Sequence, residues 1–427
     1  MSNYKWFKFN ELYKMSSGIS SSPNQAGHGS PFVSFSTVFN NYFLPNALND
    51  LMDSSLEEQE TFSVKKGDIF LTRTSETLDE LGMSSVSIKD YPNATFSGFV
   101  KRLRPLQNDK TYDKYMAFYL RSRLFRKTIT NNAVMVLRAS LNEKIFSYLR
   151  LYLPDYKTQV KIGDILYLLY TKIELNNRIN FELEKMAKTL YDYWFVQFDF
   201  PDENGRPYKS SGGKMVWNEE LKRKIPEGWI TKKISDISRI GSGFSFNSET
   251  YLTDGKFKII TIKNVQELKL ETESVDYTNN IPINLSDFCK LRIGDILISL
   301  TGNVGRICLV TEENLLLNQR VGKFLCDDIF KNFIYLLFQR KEERNRLENI
   351  ATGSSQKNLS PLDATNSLIH VSSHEVLTKF NILIDPIIEK IILNDIESQK
   401  LSELRDWLLP MLMNGQVKVS EFLSEEL

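Results

Sequence analysis

The sequence predicts an α+β protein with a pseudo-two-fold internal repeat. Two mixed α/β domains are each followed by a long helix, and the helices pair as an antiparallel coiled coil. Three observations predict this. First, the chain repeats itself: Gly67-Asp68-Ile69-Phe70-Leu71 returns 227 residues later as Gly294-Asp295-Ile296-Leu297-Ile298, and Phe32 to Val38 returns as Ile259 to Val265 at the same offset. Leu12-x-x-Met15-Ser-Ser-Gly18 likewise matches Ile237-x-x-Ile240-Gly-Ser-Gly243. Second, each copy ends in a run with apolar steps of three and four, where Leu183, Met186 and Leu190 fall opposite Leu401, Leu404 and Leu408 at an offset of 218. Third, a Pro/Gly-punctuated stretch separates the copies. Two divergent copies, each a domain plus a helix, suggest a device that grips two related things at a fixed separation. The period is far longer than that of solenoid repeats.

Composition narrows the class. A chain of 427 residues can hold two or three domains with their own cores. It has no run of 18 apolar residues and no basic-then-apolar start, so a cytoplasmic protein without a membrane span is expected. Cys289, Cys308 and Cys326 have no paired spacing and read as reduced thiols. The net charge is only +1, but charge is local. Residues 110–144 hold Lys110, Lys114, Arg121, Arg123, Arg126, Lys127, Arg138 and Lys144 against Asp113 and Glu143. Such a block can neutralise phosphates, although a solvated helix face has the same composition.

Residues 1–150 read as the first mixed domain. Strand-like runs at Phe32–Val38, Asp68–Thr72 and Phe96–Leu103 are separated by Gly, Pro, Asn and Ser clusters, and 115–127 looks helical. Residues 151–228 hold a long helix and a connector. The helix steps through Ile162, Leu166, Leu169 and Ile173, then Ile179, Leu183, Met186, Leu190 and Tyr193, and slips by one beat around Asn176. From Lys157 to Phe195 it would span roughly 60 Å. The connector from Asp199 to Trp229 is loop-rich, and Tyr208, Trp217 and Trp229 predict that it packs. Residues 229–380 read as the second domain and 381–427 as the second helix. For that helix Asp385 is the expected N-cap, Pro386 suits the first turn, and Pro410 should kink or end it. Neither helix can bury its stripe alone, so mutual packing is favoured over docking on the parent domain.

Catalytic signatures are missing. There is no G-x-x-x-x-G-K-[ST] phosphate loop and no Asn/Asp-Pro-Pro-aromatic tetrapeptide of an amino-methyltransferase. Gly241-Ser-Gly243 reads as a tight turn. His28 is isolated. His370 and His374 could share a helix face but have no third ligand at metal spacing, so no metal site is expected. What remains is recognition chemistry. Thr301-Gly-Asn303-Val-Gly-Arg306 is a Gly-punctuated loop between apolar strands, with Thr74-Ser75-Glu-Thr77 as its counterpart. Asn318-Gln319-Arg320 follows the next strand. Thr352 to Asn358, with Gln356 and Lys357, is a second polar loop whose counterpart carries Ser140 and Asn142. Arg340, Lys341, Arg344 and Arg346 form another basic block. Each is ordinary alone. Together they put polar loops and basic helices at matching places in both copies, which favours nucleic acid. The candidate contacts are Thr74, Ser75, Arg121, Arg123, Arg126, Lys127, Ser140 and Asn142 in the first domain. In the second they are Thr301, Asn303, Arg306, Gln319, Arg320, Arg340, Lys341, Gln356 and Lys357.

The helices carry a family resemblance. Lys172-Ile-Glu-Leu-Asn176-Asn-Arg-Ile-Asn180, followed by Leu183-Glu-x-Met186-Ala-x-x-Leu190-Tyr191-x-Tyr193-Trp194-Phe195, resembles the central region of type I restriction-modification specificity subunits. Phe198-Asp-Phe-Pro201 through Trp217 to Pro226-Glu-Gly-Trp229 is similar too, as is Leu404-Arg-x-x-Leu408-Leu-Pro410-x-Leu412-Met-Asn-Gly415-Gln. The resemblance covers the whole chain. One departure is that the second helix reads as the shorter, ending at Pro410, so the two-fold is only approximate.

The resemblance implies a subunit without catalysis or cofactor of its own. Two target recognition domains each read half of a bipartite, asymmetric site on double-stranded DNA. The helices set the gap and dock two methylation subunits that use S-adenosylmethionine. Motor-nuclease subunits needing ATP and magnesium then join. The readings weighed against it are a stand-alone restriction or methylation enzyme and a scaffold that binds no DNA.

Overall fold

The computed structural model describes residues 4–20, 23–75, 81–132, 134–135, 139–140, 149–353 and 356–417. The chain folds as two compact units, residues 1–173 with 400–427, and residues 174–399. Among the described residues no helix is long and apolar enough to cross a membrane.

Both units are built on the same strand order, and this is the repeat made physical. In the first, Tyr13–Ser17, Val100–Pro105, Ile69–Thr72 and Ser84–Val86 lie side by side in an antiparallel sheet. In the second, Ser238–Ser242, Val321–Cys326, Ile296–Ser299 and Ile307–Leu309 do the same. Each unit adds a parallel strand pair, Ala26–Val33 on Thr95–Phe96 and Phe257–Ile260 on Leu315–Leu317. Each also joins an early strand to a late one, Lys5–Lys8 with Arg150–Leu153 and Ile230–Lys233 with Leu368–Val371.

The Gly-Asp-Ile motif recurs because it closes the same turn twice. Gly67 (φ 86°) and Gly294 (φ 84°) occupy the left-handed region, where a side chain would be strained. The Asp68 carboxylate accepts from the Lys65 N–H at 2.8 Å, and that of Asp295 from the Arg292 N–H at 2.7 Å. Each acid is paired with a cation on the neighbouring strand, the fully buried Asp68 with Arg104 (2.7 and 2.6 Å) and the partly buried Asp295 with Lys323 (2.6 Å). The isoleucine then opens a strand buried on both faces. Gly18 and Gly243 repeat for another reason. A Cβ at either would lie 2.2 Å from the Phe96 carbonyl oxygen or 2.3 Å from that of Asn318. Gly241 lies inside a strand, where a Cβ would meet the Phe288 ring at 2.7 Å. The expected tight turn at 241–243 is therefore a close backbone approach.

The strand predicted over Phe32–Val38 stops at Val33. Ser34 accepts from the Thr37 N–H and starts a helix over Phe35–Asn40, so a local cap overrides the β-branched pattern. Its partner in the repeat, Phe257–Ile260, also stops early. Phe96–Leu103 is two strands broken at Ser97–Phe99, and the helix over 115–127 is two, Asp113–Tyr119 and Arg123–Asn132.

The first long helix is Tyr156–Tyr191, about 54 Å at 1.5 Å per residue. It closes in a π-turn at Asp192–Val196, where the Gln197 N–H reaches the Asp192 carbonyl. The second is His374–Met413, 40 residues against 36, so it is the longer. It starts 11 residues before Asp385, with the Ser373 hydroxyl accepting from the Val376 N–H, and Pro386 sits inside it. Pro410 lies in its last turn and does not end it. The helix starts, Tyr156 and His374, are 218 residues apart, the same offset that relates the apolar stripes in the sequence.

The slip at Asn176 also disappears. The covered stripe runs Ile162, Leu166, Leu169, Ile173, Asn176, Asn180, Leu183, Ala187, Tyr191 and Trp194 without a break, while Met186 is 53% exposed. Within the second unit the two helices pack antiparallel. Asn176 bonds Ser398, and Asn180, one turn on, bonds Ile391 and Asp395, one turn back. Tyr191, Trp194 and Phe195 of the Tyr-x-Tyr-Trp-Phe motif form an aromatic core, while Tyr193 is exposed. Phe195 stands edge-on to Phe380 (4.8 Å) and Phe333 (5.0 Å), and Trp229 packs on Phe198 (5.4 Å). The connector packs as expected through Phe200, Tyr208 and Trp229, but Trp217 is exposed on a hairpin of Met215–Asn218 with Arg223–Pro226. In the first unit, Leu412 and Met413 enter the core, and the Tyr4 hydroxyl donates to the Leu412 carbonyl at 3.1 Å.

Candidate nucleic-acid interface

In the second unit the antiparallel sheet delivers three loops to one edge. Ser238–Ser242 and Ile296–Ser299 end there, and Val321–Cys326 begins there. The loops are therefore 243–246, 300–306 and 318–320. A fourth segment is laced onto them. The Gly302 N–H donates to the Lys357 carbonyl at 2.8 Å, the Leu359 N–H to the Leu300 carbonyl at 2.8 Å, and the Leu300 N–H to the Arg320 carbonyl at 3.1 Å. Seven predicted residues, Thr301, Asn303, Arg306, Gln319, Arg320, Gln356 and Lys357, thus lie in one loop cluster.

Their side chains divide into presented and engaged groups. Asn303, Gln319, Arg320, Gln356 and Lys357 are exposed. Thr301 is buried, and its hydroxyl donates to Asn358 Oδ1 at 3.0 Å. Arg306 donates to Gln266 Oε1 at 2.6 Å, while its own N–H reaches the Ser299 hydroxyl. Lys357 Nζ reaches the Glu348 carbonyl at 2.9 Å. Arg344, on the helix Lys341–Ile350, braces the cluster through Glu267 (2.6 Å) and the Gly305 carbonyl. Arg340 and Lys341 stand at the start of that helix. Lys341 is exposed, but Arg340 pairs with Asp192 (3.5 Å) and Glu342 (3.2 Å) beside the aromatic core. Arg346 is held by Glu343 and the Ala364 carbonyl. His370 belongs to a strand, not to the helix of His374. It bonds the Phe195 carbonyl at 2.6 Å, and burial pushes its pKa down to about 4.

The first unit brings its counterparts together in the same way. Thr74 pairs with Ser140 and Ser75 with Ala139 across a short antiparallel bridge, as Thr301 does with Asn358. The side chains of Thr74, Ser75 and Ser140, and all of Asn142, lie outside the described residues. The basic helix separates into two roles. Arg123 and Lys127 are exposed, one turn apart on one face. Arg121 is a staple instead. Nε donates to the Ser84 carbonyl (2.7 Å), Nη2 to those of Val38, Phe39 and Asn41 (2.8–3.0 Å), and the guanidinium lies 4.7 Å over Tyr42. Burial pushes its pKa down to about 10. Its donors point inward, which corrects the phosphate role expected from composition. Arg126 Nη1 reaches the Leu81 carbonyl at 2.5 Å, so it too anchors a loop.

Sequence reasoning passed over Arg73 and Phe99, both exposed at this edge. The 227-residue offset of the sequence repeat does not align them; only the strand register does, since Val100 and Val321 open equivalent strands, so Phe99 stands where Arg320 stands.

Comparison with known proteins agrees with this architecture. The family model described as "Type I restriction modification DNA specificity domain" matches residues 1–185 and 226–366. The HindI specificity subunit of the type I restriction enzyme of Haemophilus influenzae is 26% identical over 90% of this chain and 94% of its own. The MjaIX specificity subunit of Methanocaldococcus jannaschii is 24% identical over 89% and 84%. In fold, the chain is similar to the crystal structure of the S subunit from M. genitalium, with a TM-score of 0.59 at 16% identity over 96% of both chains. The chain belongs to the type I restriction-modification DNA specificity family.

Proposed function

We propose that this chain is the DNA-specificity subunit of a type I restriction-modification complex and is itself non-catalytic. One observation carries the reading. Two domains of the same strand order present loops at the same sheet edge, yet the exposed side chains there differ, with Arg73 and Phe99 in one and Asn303, Gln319 and Arg320 in the other. Twin scaffolds with unlike tips suit a bipartite, asymmetric target on double-stranded DNA, read by hydrogen bonds and apolar contacts to base edges. Arg123 and Lys127 serve the phosphate backbone in this reading.

The partners follow from the helices. Leu175 and Met186 on the first helix and Leu393 and Leu404 on the second are exposed, and each pair is related by the same 218-residue step. Two equivalent apolar positions favour two copies of one partner, the methylation subunits. Those subunits bring S-adenosylmethionine, and motor-nuclease subunits bring ATP and magnesium. The helix pair sets the gap between half-sites.

The test is a domain exchange. Residues 1–150 are replaced by those of another family member, and methylated adenines are sequenced in cells expressing the complex. One half of the target should change and the other stay. An unchanged target, or loss of both halves with the complex still assembled, overturns the proposal.

A further inference from the structure

We infer that one register position at the reading edge, Phe99 in the first domain and Arg320 in the second, decides one base pair in each half-site. Phe99 does so by apolar contact with a thymine methyl, and Arg320 by paired hydrogen bonds to a guanine edge. This rests on the DNA-reading role proposed above.

The backbone makes the two positions one. Thr72 is paired with Val100, and Ser299 with Val321. One step further out, the Arg73 N–H donates to the Phe99 carbonyl at 2.9 Å, and the Leu300 N–H to the Arg320 carbonyl at 3.1 Å. One step back, the Val100 N–H closes on the Ser97 carbonyl (2.9 Å) and the Val321 N–H on the Asn318 carbonyl (3.0 Å). Even the flanking contact repeats. Gly98 N–H bonds the Ile19 carbonyl, and Gln319 N–H bonds that of Phe244. So both side chains leave the same hydrogen-bonded turn at the same point of the sheet.

Chemistry then separates them. Single exposed apolar side chains are common and need no purpose. Phe99 differs because the residue is 66% exposed while its backbone is fixed on both sides, by the Ser97 hydroxyl at its N–H (3.2 Å) and by Arg73 at its carbonyl. A side chain presented from a rigid base loses little freedom on binding, which is what a reading residue needs. The neighbouring position compensates. Where the second domain has buried Leu300 beside exposed Arg320, the first has exposed Arg73 beside exposed Phe99. Each domain keeps one arginine at this register, on opposite strands. An arginine reads guanine O6 and N7 as a fork, and a phenylalanine can read the thymine methyl that only A·T pairs place in the major groove.

The test uses the assembled complex with its methylation subunits. Methylated adenines are sequenced for the parent, Phe99→Ala, Phe99→Leu and Arg320→Ala. Binding is then measured on the mapped duplex with deoxyuridine in place of each thymine in turn. Phe99→Ala should relax one base pair of one half-site by at least about five-fold, the low end for a single base contact. Phe99→Leu should keep the preference, and Arg320→Ala should relax one pair of the other half-site. Deoxyuridine at one thymine should weaken the parent by a similar factor and Phe99→Ala no further. The inference is overturned, with the parent reading intact, if the bipartite target persists but both alanine variants read it unchanged. It is equally overturned if no thymine of the first half-site is sensitive to loss of its methyl, an arm that needs no variant. A parent complex that methylates without any bipartite sequence overturns both.

Discussion

Asn394 donates from Nδ2 to Oδ1 of Asn180 at 2.8 Å, buried between the two long helices. The 218-residue step that relates the helices carries this pair onto Asn176 and Ser398, which also hydrogen-bond, at 3.2 Å. Asn180 further donates to Asp395 (2.8 Å) and Asn176 to Glu397 (2.8 Å). A polar layer inside an apolar seam costs stability, and here Asn176 Oδ1 has no partner among the described residues, but the amide donors find theirs in one register only.

Breaking one member should therefore hurt more than removing both. Asn180→Leu leaves the Asn394 amide and the Asp395 carboxylate without their partner, and a cost of about 1–3 kcal/mol is expected. Asn180→Leu with Asn394→Leu replaces the layer by apolar packing and should recover part of that loss. Denaturant midpoints of the two single variants and the double variant give the coupling. Strict additivity would show that the amides do not act as a pair.

Two carboxylates near this layer make stability depend on pH. Burial raises Asp395 to about 6 and Glu184 to about 7, each against its ordinary value near 4, and the Asp395 charge adds to the rise at Glu184. Between about pH 4 and 7 the folded chain holds protons that the unfolded chain has released, so stability falls as pH rises through this window. Glu184→Gln should leave melting unchanged near pH 4 and raise it above pH 7. The readout is the difference in melting temperature between variant and parent from pH 4 to 8. A difference that does not grow with pH would contradict the assignment.

The Asp68 carboxylate closes the Gly-Asp-Ile turn while fully buried against Arg104. Asp68→Ala opens the turn and removes the partner of Arg104, which is 29% exposed and keeps the Ser63 carbonyl, so a loss of about 1–3 kcal/mol is expected from the denaturation midpoint. Asp68→Asn keeps the acceptor for the Lys65 N–H and should lose less. Equal losses would assign the whole effect to charge.

These elements also show what a sequence can disclose. The Gly-Asp-Ile turn, the paired loops at Thr301 and Asn358, and the helices themselves were legible because each is a local rule repeated twice. Asn176 was misread as a slip because a polar residue in a seam looks like an interruption until its partner, 222 residues away at Ser398, is known. Asp385 and Pro386 mimic a helix start, but Ser373 and the apolar face beyond it extend the helix backward. Arg121 could not be told from Arg123 by composition, since only the fold places four carbonyls around one of them.

That last distinction is measurable. Arg121 bonds Ser84, Val38, Phe39 and Asn41, whereas Arg123 and Lys127 face solvent on one turn of helix. Arg121→Ala strands buried carbonyls and removes packing on Tyr42, so it should lower the melting temperature and leave the salt dependence of DNA binding as it was. Arg123→Ala with Lys127→Ala should do the reverse. Melting stays within error, and the slope of log K against log salt falls by roughly 2 as two phosphate contacts are lost. Binding of the assembled complex to its mapped duplex from 50 to 300 mM salt, about the range where such slopes are read, checks both. An unchanged slope in the double variant would remove this helix from the DNA surface and leave phosphate contact to the loops.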